Sequence, residues 1–208
     1  MSLILPIRLR LAGAHEPGLF LESTVKATAK ATGASWGSAS SGGDFTIVVF
    51  TWEDGSNKIP TSVTFGGVGM TLDVTTPSAL NGVAIATYPG PLSGNFVVNF
   101  TGSGDIADCA FSVLSIYHDG TVSVVDTDIG TTSLGALTSP GTGGYRIVGA
   151  CDANPAGQTF TGVTAELEDT TGGNGDYQHA VAYHFAASSA SIGDASAERM
   201  AGISVSLT

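Results

Sequence analysis

Positive charge is scarce in this chain: seven Lys and Arg stand against 18 Asp and Glu, a net charge of -11. A surface of that sign repels phosphate backbones and anionic bilayers, so neither nucleic acid nor a membrane is expected as a partner. Long hydrophobic runs are missing too. No stretch reaches the roughly 18 apolar residues of a membrane helix. The leader MSLILPIRLRLAGAHEP, interrupted by Pro6, Arg8 and Arg10, lacks the unbroken apolar core of an export signal. Cysteine is nearly absent. Cys109 and Cys151 both sit in apolar runs and are expected as buried free thiols, a bridge between adjacent strands being the alternative. Catalytic signatures are lacking as well, with no GxSxG elbow, Walker loop, CxxC, HxH or HExxH spacing, and no enzyme is expected.

What is present is glycine, 29 residues of it spread along the chain with 8 prolines, in a sequence that is 42% hydrophobic and 12% charged. Such a chain is globular and built from short strands and tight turns. Phe45–Trp52 (FTIVVFTW) is almost wholly apolar, β-branched or aromatic and reads as a central strand covered on both faces. Further strands are expected at 62–65, 68–74, 82–88, 95–101, 107–117, 122–126, 144–151, 162–168, 178–185 and 200–207. The Gly66-Gly67 pair and Gly141–Gly144 read as hairpin turns and not as phosphate cradles, since neither opens a helix. Ten to twelve strands at this spacing predict an all-β fold, one jelly-roll-like antiparallel sandwich. No fixed-period repeat is visible, so a propeller or solenoid is not expected and a second domain is not required.

The leading segment differs from the rest. Residues 1–30 carry Arg8, Arg10, Lys26 and Lys30 against Glu16 and Glu22, a local net of +2, and the remainder carries -13. Leu3, Leu5, Ile7, Leu9 and Leu11 alternate with Ile4, Pro6, Arg8 and Arg10, the period of a strand with one buried face. Pro6 suits an edge strand or an arm that pairs outside its own sheet. Residues 22–41 are small and polar and read as an extended connector, a short helix over Val25 to Ala31 being the alternative. The expected organisation is therefore an N-terminal arm and connector over 1–43 and a β-sandwich over 44–208. Leu5, Ile7, Arg8, Leu9, Arg10 and Leu11 are the candidate partner-binding residues of the arm, with Trp36 as an anchor.

Other candidate chemistry is thin. His179 and His184 lie five apart on one predicted strand and point to opposite faces, so they share no metal; His15 and His118 are isolated. No metal site is expected from histidine. Asp126 with Asp128, Glu166 with Glu168 and Asp169, and Asp105 with Asp108 are acidic clusters that read as solvated turn acids. Calcium is the one cofactor they could take, although the full oxygen-rich loop pattern is absent. Trp36 and Tyr177 are the candidate stacking platforms for a glycan.

Two stretches resemble a known family. "DFTIVVFTWEDGSNKIPTSVTFGGVGMTLD" at 44–73, and "ADCAFSVLSIY" at 107–117 with "YRIVGAC" at 145–151, are similar to the jelly-roll modules of bacteriophage and prophage virion proteins. The similarity covers residues 44–208. It implies a structural protein of the virion, a capsid decoration or cement protein bound to the major capsid protein or another virion protein through its arm. A homotrimer is the expected assembly and the virion, put together in the host cytoplasm, the expected location. The alternative is a head-fibre or tail module recognising host surface glycans.

Overall fold

The computed structural model describes residues 18–54, 57–77, 80–140, 143–152, 160–161, 168–171, 178–185, 190–194, 197 and 199–208. Every element among them is a strand. They run β1 (Gly18–Ala31), β2 (Ser35–Ser40), β3 (Phe45–Glu53), β4 (Pro60–Phe65), β5 (Val68–Gly69), β6 (Thr71–Thr75), β7 (Asn81–Tyr88), β8 (Ser93–Phe100) and β9 (Asp105–Tyr117). After Tyr117 come β10 (Val122–Gly130), β11 (Ser133–Leu137), β12 (Gly144–Asp152), β13 (Phe160–Thr161), β14 (Glu168–Thr171), β15 (Gln178–Phe185), β16 (Ala190–Asp194) and β17 (Arg199–Leu207).

The first nine strands form two antiparallel sheets, in the orders β1-β9-β3-β7-β6 and β2-β8-β4-β5. Apart from the β4-β5 and β6-β7 hairpins, successive strands alternate between the sheets, and β9 closes back on β1, which is the order of a jelly roll. The fifth strand of the roll is split. It pairs with β4 over Val68–Gly69, turns at Met70, then pairs with β7 over Thr71–Thr75, so one strand serves both sheets. The Gly66-Gly67 turn has φ of +60° and +81° between the paired Phe65 and Val68, the backbone of a type I′ hairpin.

The remaining strands repeat this plan. Their sheets are ordered β10-β17-β12-β15-β14 and β11-β16-β13, so β10, β11, β12, β15, β16 and β17 take the places of β1, β2, β3, β7, β8 and β9. The chain is an all-β antiparallel sandwich, as the sequence predicted, and its described strands follow the jelly-roll order twice in tandem, a repeat that the sequence did not show. The rolls share a core. Odd residues of β3 (Ile47, Val49) and of β7 (Val83, Ile85) pack on Ile147, Val181, Ile203 and Val205 of the second roll. Even residues of β3 (Val48, Phe50, Trp52) pack on Phe65, Phe96 and Val98 of the first roll's own outer sheet. In the second roll Val148, Ala150 and Met200 turn outward to Leu134 and Leu137. Four sheets are thus layered, outer, inner, inner and outer, with one core between each adjacent pair. This is why Phe45–Trp52 is almost wholly apolar, its two threonines apart: it is buried on both faces.

The boundary expected at residues 43 and 44 separates no structural units. The stretch read as connector contains β1, paired along its length with β9, and β2, paired with β8. Lys26 and Lys30 accordingly belong to an edge strand of the sandwich, where exposed charge discourages further pairing. Met1 to Pro17, with the candidate arm residues, lies outside the described residues, as do residues 162–167 of one expected strand.

The inner sheets approach closely at Gly149. A Cβ there would lie 2.3 Å from Val49 Cγ1 and 2.9 Å from Val83 Cγ1, nearer than carbon atoms pack. Gly149→Ala is expected to cost about 1–3 kcal/mol by overpacking, read as a lower urea midpoint. Adding Val49→Ala should recover part of that loss; no recovery would place the strain elsewhere.

Candidate functional site

Of the residues singled out in the sequence, those that are described are not brought together. Leu5, Ile7, Arg8, Leu9, Arg10, Leu11, His15, Tyr177 and Glu166 lie outside the described residues, and so do the side chains of Glu168 and Asp169. Trp36 is the clear correction. It is only 2% exposed and lies among Phe50, Phe96 and Phe100, the last stacked on it at 6.0 Å with planes 13° apart. It anchors β2 onto the body of the first roll, and its ring offers no face to a sugar. Trp52 is buried as well, at 1%.

The acids are engaged locally. Asp126 and Asp128 share a strand face, as their spacing requires, but their carboxylates accept backbone N–H groups of Thr138 (2.6 Å) and Gly135 (2.5 Å). These bonds tie β10 to the segment around β11, and they hold the Asp126 carboxyl below the usual range. Asp105 is exposed and its carbonyl accepts from the buried Lys58 at 2.9 Å, whereas Asp108 is 4% exposed. Among the described residues no three His, Cys, Asp or Glu side chains converge as a metal ion would require.

The chemistry that sequence reasoning underrated is His179. Its ring lies in the core between the two inner sheets with no exposed surface. Nδ1 is 2.8 Å from Thr51 Oγ1 on β3, and Nε2 is 2.8 Å from Ser112 Oγ on β9. Ser112 Oγ in turn is 2.8 Å from Thr24 Oγ1 on β1. A neutral imidazole donates from one nitrogen and accepts at the other, so one hydroxyl accepts and the other donates. Burial foremost, and the charge of Lys26 next, pull its pKa down to about 3. The Ser112–His179 spacing would suit a nucleophile and base, but both residues are fully buried and no substrate reaches them. The group is a polar clasp joining one roll to the other. The only hint in the sequence is a histidine followed by the apolar AVAY.

Cys109 and Cys151 are free and buried, as expected. Cys109 faces the first outer sheet and Cys151 the core between the rolls, so they belong to different layers and cannot bridge. Burial pushes the Cys109 thiol up to about 12, which makes it inert.

At the seam of the rolls, Pro77 from the first and Ile129, Gly130, Thr131 and Arg199 from the second line a shallow groove of about 280 Å3. Ile129 (41%), Val125 (45%) and Leu80 (60%) are exposed apolar residues of the described surface. No protein-family model matches the chain, and no curated protein or solved structure matches it either.

Proposed function

We propose that this chain is a structural protein of a phage-like particle, a decoration or cement protein that binds the capsid through its N-terminal segment. The observation that carries the proposal is the jelly-roll strand order, present twice, an order that viral capsid and lectin domains use, as cupins also do. The resemblance of residues 44–73, 107–117 and 145–151 to virion modules points the same way. The apolar alternation of Leu5, Ile7, Leu9 and Leu11, with Arg8 and Arg10, precedes the edge strand β1 in the sequence. Such a segment suits addition to a neighbouring sheet edge, where main-chain bonds supply affinity and alternate side chains supply specificity. A homotrimer and a place on the virion are part of the same proposal. The glycan-binding alternative is weakened, because Trp36 cannot serve as a stacking platform.

Co-sedimentation with undecorated heads tests it, and the truncation should remove residues 1–17 so that β1 stays intact. The full chain is expected to pellet with the heads and the truncated chain to remain in the supernatant, with unchanged thermal unfolding. Binding by neither protein would overturn the capsid role. Equal binding by both would overturn the role of the leading segment.

A further inference from the structure

We propose that Arg146 is an oxyanion-binding residue, taking a carboxylate or phosphate group on the Nε and Nη2 edge of its guanidinium. Arg146 is the third residue of β12 and is 1% exposed, on the face that carries Val148 and Ala150 toward the second outer sheet. Its Nε and Nη2 are both buried, and among the described residues neither has a hydrogen-bond partner. These two nitrogens carry the parallel N–H bonds of the side-on fork, the arrangement that grips two oxygens of one anion. Its cross-strand neighbours are His184 on β15 and Ser204 on β17, and the Ser204 hydroxyl is turned to the Thr138 carbonyl at 2.8 Å. Burial lowers the Arg146 pKa, yet a guanidinium remains charged throughout the working range. A buried cation without a counter-charge is a heavy cost for a fold to carry, and folds pair such groups.

The duplication shows that the architecture does not need this charge. At the matching place in the first roll, near the start of β3, stands Thr46. It is also buried, and it donates to the Gly90 carbonyl at 2.6 Å with Ser41 Oγ 2.6 Å away. The same topological position is thus filled by a small, satisfied, neutral side chain in one roll and by an unpaired arginine in the other. Arg146 lies near the end of its sheet where Tyr145 pairs with Phe185, which is 55% exposed. An anion would approach from that end. This inference is independent of capsid binding.

Thermal unfolding of the whole chain at constant ionic strength, with chloride exchanged for inorganic phosphate or for acetate, is the test. Saturating binding is expected to raise Tm by about 5–10 °C at a hundredfold excess over Kd. Arg146→Met should abolish the response, and Arg146→Lys, which supplies a point charge without the fork, should reduce it. Phosphate acting alone would assign a phosphate site, and acetate acting alone a carboxylate site. Equal shifts in the wild type and Arg146→Met, or none in the wild type, would overturn the proposal. The Arg146 Nε–H resonance of the wild type provides a reading without any variant: it should move during the titration, and a stationary signal counts against the site.

Discussion

Trp36→Ala is expected to remove about 3–5 kcal/mol of stability, a large share of the roughly 5–15 kcal/mol that a folded domain possesses. Trp36 reaches from β2 into a cluster of rings. Phe50 and Phe96 meet it edge-on at 5.9 and 5.8 Å, and Phe100 lies flat against it. Around them Trp52, Phe65 and Phe111 extend the same packing. Deleting the indole opens a cavity that the neighbouring rings, held in strands on two sheets, can only partly fill. The indole Nε1 has no hydrogen-bond partner, so packing is the quantity lost. Trp36→Phe keeps much of the ring volume and discards the orphan donor, and it should cost far less. Denaturant unfolding of both variants checks this. A loss below about 1 kcal/mol for Trp36→Ala would mean the side chain is exposed, and the glycan-platform alternative would regain its best residue.

Much of the architecture was legible because burial on two faces leaves a strong mark. β3, β7, β9, β15 and β17 read as strands in the sequence because their alternate residues feed different cores, so that most of them are apolar or small. β1 and β2 were less legible. β1 is an edge strand with one half-buried face, and β2 contributes a single large inward residue among Ser, Gly and Ala. Gly37 illustrates why β2 is small: a Cβ there would come within 2.6 Å of Val25 Cγ1, so β2 can lie against β1 only without one.

The duplication left no trace as a repeat because the two rolls share an order of strands and not the residues that fill them. The first outer sheet closes over Trp36, Phe50, Phe96 and Phe100, whereas the second closes over Leu134, Leu137, Val148 and Met200. A jelly roll asks only for alternation and turns at suitable places, and many unrelated side chains meet that demand. Candidate chemistry was harder to read for a related reason. The sequence can show that His179 is flanked by apolar residues, but not that Thr51 and Ser112 lie 2.8 Å from its two nitrogens, since those partners are 128 and 67 positions away.

That same histidine should make the protein acid-labile. In the folded chain His179 titrates at about 3, and in the unfolded chain near 6.5. Between those values the unfolded state binds a proton that the folded state does not, so stability falls as the pH drops. The slope is about 1.4 kcal/mol per pH unit across the window, and the whole loss is about 4–5 kcal/mol. Above pH 6.5 the term vanishes, and below about 3 it adds nothing more. Hydrogen bonding does not forbid the imidazolium, because Thr51 and Ser112 could both accept and Ser112 could donate onward to Thr24. Desolvation is the obstacle. Asp126 contributes in the same direction but lower, its stabilising bond being lost only as the pH falls through the carboxylate range. Urea midpoints of the wild type and His179→Gln, measured from pH 7.5 down to pH 4, separate the two effects. The variant should be less stable at pH 7.5, having lost the fitted ring between Thr51 and Ser112, yet much flatter toward acid, so that the curves converge. Parallel curves would show that the imidazole is protonated in the folded chain or reached by water, and the clasp between the rolls would then be open.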